Sequence, residues 1–72
     1  MYRKEVRLLH PRKQAVQLLL SQGYRFHREG ANHEIYKHPD TGAIIPLKRH
    51  DFNENDLRYI LREIRQKEGG RQ

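Results

Sequence analysis

His33 stands three residues after Gly30 in the run Gly30-Ala31-Asn32-His33-Glu34-Ile35-Tyr36, and Arg25, Arg28, Lys37, Lys48 and Arg49 flank it along the chain. Cleavage of RNA without a metal needs a base that works near neutral pH to take the proton of a 2′-hydroxyl. Imidazole, which titrates at ~6.5, is the side chain suited to that task. Cationic side chains nearby stabilise the charge that builds on a pentavalent phosphorus. No general acid stands out: His27, His38, Lys37, Arg28 or a water molecule are all open.

Other chemistries lack their residues. There is no His-x-x-x-His pair and no glycine-rich loop ahead of a helix, which excludes the metalloprotease and nucleoside-triphosphate patterns. Zinc held by His33, His38 and His50 would need a fourth ligand that the sequence does not name, and nothing in the spacing fixes the geometry of the three. Neither metal nor cofactor is expected. Gly30 is too isolated to form a phosphate-cradling loop and reads as a turn residue of positive φ.

The charge balance agrees with a polyanionic partner. Fifteen Lys and Arg against nine Asp and Glu give a formal charge of +6 on 72 residues. Such a domain gains salt-dependent affinity for RNA through counterion release, and Arg25, Arg28, Lys37, Lys48 and Arg49 are the expected phosphate contacts. A chain this short buries only roughly 60 % of its unfolded surface, so it holds a single thin core and no second domain. The longest aliphatic run, Leu18-Leu19-Leu20, is too short for a membrane span. With no cysteine, the chain reads as a protein of the reducing cytoplasm, with no membrane partner.

The elements that must position these residues follow from periodicity. A basic arm over residues 1–10 precedes Pro11, which suits the first turn of a helix carrying Ala15, Val16, Leu18, Leu19 and Leu20 at helical spacing. Gly23 stops it. Three strands follow: one alternating over Tyr24–Arg28, one over His33–Lys37, and one over Ala43–Leu47, with the turn residues of His38–Gly42 joining the last two. Pro46 cannot donate to a ladder, which places its strand at an edge. Asn53 caps a closing helix with Glu54 and Asp56 in its first turn, basic residues in its last turns, and Leu57, Ile60, Leu61 and Ile64 as its core stripe. The order is α-β-β-β-α, an α+β fold with a three-stranded antiparallel sheet and both helices on one face. Residues 11–66 form the expected core, and residues 67–72 a frayed tail.

One orientation stays open at this level. If Ile35 faces the helices, so does His33, whereas if Tyr36 faces them His33 points to solvent. A histidine at the first strand position can escape this rule, and a base for RNA needs only a ring reachable from the surface, expected near Arg28 and the Lys48-Arg49 segment.

Several stretches together resemble a known family: Gly23-Tyr24, Arg28-Glu29-Gly30-Ala31-Asn32-His33-Glu34-Ile35-Tyr36, Ile45-Pro46-Leu47-Lys48-Arg49-His50, and Leu57-Arg58-Tyr59-Ile60-Leu61. From about Pro11 to Ile64 the chain is similar to the HicA toxins. The resemblance implies a fold like that of double-stranded-RNA-binding domains, a ribosome-independent mRNA interferase activity, and neutralisation by a HicB antitoxin. By analogy His33 is the catalytic histidine, and attack by the 2′-hydroxyl leaves a 2′,3′-cyclic phosphate and a 5′-hydroxyl. Many members have Ser or a second Gly just before that histidine, where this chain has Ala31-Asn32. The competing readings are a module that grips RNA without cutting it, and a domain whose basic face meets an acidic protein.

Overall fold

The structure is a computed structural model and describes residues 10–69. Helix α1 (Pro11–Ser21) is followed by strands β1 (Arg25–Glu29), β2 (His33–Lys37) and β3 (Ile44–Lys48), and helix α2 (Glu54–Gly69) closes the chain. The three strands form one antiparallel sheet in the order β1-β2-β3, with both helices packed on it. This is the α+β architecture that the sequence implies. Of the expected basic arm only His10 is described, and it caps α1: its Nδ1 accepts from Arg12 N at 3.1 Å. The rest of the arm, residues 1–9, lies outside the described residues.

Pro11 occupies the first turn of α1, where its missing N–H costs nothing. The helix ends because Gly23 takes φ +95°, which lets Tyr24 N donate back to Leu19 O at 2.9 Å. That return draws Tyr24 into the core and starts β1 one residue later than alternation suggests. At the other end Asn53 Oδ1 accepts from Asn55 N and Asp56 N, while Asp56 Oδ2 accepts from Asn53 N at 2.9 Å. This reciprocal cap fixes the start of α2. The helix then runs to Gly69, three residues beyond residue 66, where the expected core ends. An ion pair from Lys67 Nζ to Glu63 at 3.0 Å supports that last turn. Residues 70–72 lie outside the described part.

The core gathers Ala15 and Leu19 of α1, Tyr24, Tyr36 of β2, Ile45 and Leu47 of β3, Phe52, and Ile60 and Ile64 of α2. The apolar stripes of both helices are wider than the core they cover: Leu20 and Leu61 remain exposed. In the β2–β3 register Tyr36 meets Ile45 and Glu34 meets Leu47, and these residues face the helices. Strand alternation therefore turns His33, Ile35 and Lys37, with their partners Lys48, Pro46 and Ile44, to the opposite face. Pro46 lies on an edge strand, where its missing donor is harmless.

Candidate functional site

Burial of Tyr36 settles the orientation that the sequence leaves open, and the side chain of His33 is exposed on the sheet face turned away from the helices. Its backbone is held more firmly than its exposure suggests. Gly30 N donates to His33 O at 2.7 Å and closes the β1–β2 turn, while Arg49 N donates to Asn32 O at 3.1 Å. The Arg49 guanidinium donates from Nη2 to Gly30 O at 3.2 Å and reaches His33 O at 3.5 Å. It also lies 3.6 Å from Glu29. Gly30 does not take the positive φ expected of it, since among the described glycines only Gly23 and Gly42 do. A side chain at Gly30 would instead begin 3.3 Å from His33 O, so the residue is small because two backbones approach closely there.

The five expected phosphate contacts separate into three groups. Lys48 is the cross-strand partner of His33, and its Nζ lies 3.4 Å from Asp56 Oδ2. Arg28 pairs with Ile35, which places it on the same face and at the same end of the sheet as His33. Arg25 and Lys37 pair with each other at the far end of that face. Like charges placed opposite one another repel, and the Arg25 guanidinium turns to the carbonyl of Tyr24 at 2.8 Å. Arg49 stands apart, since its guanidinium is engaged by the turn before His33.

Among the side chains left open as a general acid, Lys37 ends β2 at the far end from His33, and His38 follows it. His38 is occupied there: its Nδ1 accepts from Asp40 N at 3.1 Å, and its ring meets that of Tyr24 edge-on at 5.2 Å. His27 falls at the β1 bulge, outside the paired register. His50 comes close to His33, since both line a cleft of about 240 Å³ with Asn32, Lys48 and Asp51. Asp51 takes a φ of 54°, a left-handed conformation uncommon for a non-glycine residue, and so turns the chain sharply between β3 and α2. A second cleft, of about 180 Å³, shares His33 and Lys48 with the first and is lined from α2 by Asp56, Tyr59 and Ile60.

Two contributions escape a reading of the sequence alone. Arg12 donates from Nη2 to Glu34 at 2.5 Å and from Nε to Lys48 O at 3.1 Å, tying the start of α1 to both strands that carry the site. A cation in the first turn of a helix opposes the macrodipole, and that mismatch is the one local sign that it serves elsewhere. Tyr59, on the exposed flank of α2, lines the second cleft and gives no such sign.

Burial raises the phenol of Tyr36 above its ordinary pKa. Glu34 adds to the rise and Arg12 opposes it. Among the described residues no three His, Cys, Asp or Glu side chains gather as a metal site, and no helix is long and apolar enough to cross a membrane.

Neither curated proteins nor solved structures yield a match to this chain. A family model does: that of the HicA toxin of bacterial toxin-antitoxin systems aligns with residues 12–69, from the Arg12 clamp to the last described turn of α2. The match spans every strand and nearly all of both helices, and the chain therefore belongs to the HicA toxin family.

Proposed function

We propose that this toxin is an endoribonuclease that cuts mRNA in the cytoplasm with His33 as its general base. The observation that carries the reading is the pairing of an exposed His33, on a clamped backbone, with Lys48 directly across the sheet. A neutral imidazole nitrogen takes the proton from the 2′-hydroxyl, and the freed oxygen attacks the adjacent phosphorus. The bond from phosphorus to the 5′-oxygen breaks, giving a 2′,3′-cyclic phosphate and a 5′-oxygen that takes its proton from water. Lys48 and Arg28 stabilise the charge on the phosphoryl oxygens. Arg25 and Lys37 hold the strand farther along, and Arg49 positions the turn that presents His33. The reaction as written calls on no metal or cofactor. A HicB-type antitoxin that covers this face would block it.

The test incubates the purified protein and its His33→Ala variant with a defined RNA in excess EDTA and reads products and their ends on a gel. Cleavage by the parent alone, leaving 2′,3′-cyclic ends, is the expected result. RNA bound by both proteins and cut by neither would replace this reading with that of a binding module.

A further inference from the structure

We propose that the cleft between β3 and α2 is a subsite for one unstacked nucleobase next to the scissile phosphate, with Tyr59 as its stacking platform. The proposal rests on the reading of His33 as the cutting site and adds that the RNA must be single-stranded where it is cut. The cleft holds about 180 Å³. That is below the few hundred cubic ångströms usual for a whole small-molecule ligand, so it suits one flat ring rather than a complete nucleotide.

Its lining matches a base in chemistry as well as in size. Pro46, Tyr59 and the buried Phe52 and Ile60 supply apolar surface. Tyr59 is 42 % exposed, so part of its ring is available to a ligand without unpacking the core. His33, Lys48 and Asp56 supply the polar lining, with Lys48 Nζ 3.4 Å from the Asp56 carboxylate, and His33 and Lys48 also line the neighbouring cleft with His50. A phosphate held between His33 and Lys48 therefore places its flanking nucleotides over the two clefts, one of them carrying an aromatic ring. Stacking on such a ring tolerates any base, because each has a π-face. A base paired inside an A-form duplex is stacked on its neighbours and cannot enter.

The experiment measures binding of a short single-stranded 2′-O-methyl RNA of mixed sequence, which lacks the nucleophile and cannot be cut. It compares the parent, Tyr59→Ala and Tyr59→Phe, with the same sequence as a duplex alongside. Tyr59→Ala is expected to bind the single strand roughly 5- to 150-fold more weakly, with Tyr59→Phe close to the parent. Duplex affinity should be insensitive to both changes. Equal affinity of all three proteins for the single strand overturns the subsite, even where the parent cuts unmodified RNA and the His33 reading stands. Loss in both variants together with a fall in melting temperature would show a structural role for Tyr59 and also overturn it. Binding that depends on Tyr59 in a protein that cuts nothing supports the subsite and overturns the nuclease. Absence of RNA binding by the parent overturns both.

Discussion

His33 and Lys48 occupy facing positions in the β2–β3 ladder, so the candidate base and the cation across from it are set by one strand register. If Lys48 stabilises the phosphoryl oxygens, Lys48→Ala lowers kcat for RNA cleavage while the fold persists. The loss should be roughly 10- to 100-fold, less than the ~10²–10³ seen for an enclosed donor, because this site is open to water. Single-turnover cleavage assays check it, and an unchanged rate would remove Lys48 from the mechanism. Lys48→Arg should restore part of the rate.

Arg12 and Glu34 form a half-buried pair, with side chains 25 % and 24 % exposed. Arg12→Ala leaves a carboxylate and the carbonyl of Lys48 without their donor, and should cost about 1–3 kcal/mol of stability. The shift of the urea midpoint at constant slope measures this. A midpoint equal to that of the parent would show that the clamp contributes nothing net.

Alkaline pH should loosen the fold through the two core tyrosines. Burial raises the phenols of Tyr24 and Tyr36 above their ordinary value of 10.0. A group whose folded pKa is raised holds its proton more tightly when folded, so its contribution is complete below the unfolded value of 10.0 and fades as pH climbs through the folded one. Stability should therefore fall above that pH, and Tyr36→Phe should flatten the decline. Denaturation curves across the alkaline range decide it, and parallel slopes for parent and variant would count against the assignment.

Gly23 and Gly42 both take positive φ, at 95° and 78°, but in different surroundings. A Cβ at Gly23 would stand 2.7 Å from His38 Nε2, whereas nothing lies within 4 Å at Gly42. Gly42→Ala should lose only the backbone preference, about 1 kcal/mol, and Gly23→Ala more, because the ring packed on Tyr24 must move. Thermal melts of the two variants compare them directly, and equal losses would mean that His38 yields freely.

Much of this architecture is legible in periodicity and turn residues. Pro11, Gly23, Pro46 and Asn53 act locally, so their effects survive isolation from the rest of the chain. The side of the sheet on which His33 lies does not, because Ile35 and Tyr36 are both apolar and either can serve as the core residue. The packing of Tyr36 over Ile45 decides it. Arg49 reads as one more surface cation until the Gly30 turn, distant in sequence, closes around it. Arg12 finds its partners 22 and 36 positions away, and no local pattern reaches so far. The charge and spacing around His33 are visible in one dimension, while the cleft beside Tyr59 exists only once α2 borders β3.

Both outer strands of the sheet are poor templates for another chain. Strand β1 is broken by the bulge at His27 and carries Arg25, Arg28 and Glu29, and β3 has Pro46 at its centre with no N–H to offer. Neither margin gives an incoming strand an unbroken row of donors and acceptors. A three-stranded sheet with one open face is an obvious seed for edge-to-edge aggregation, and here the same proline that borders the proposed base cleft also guards against it.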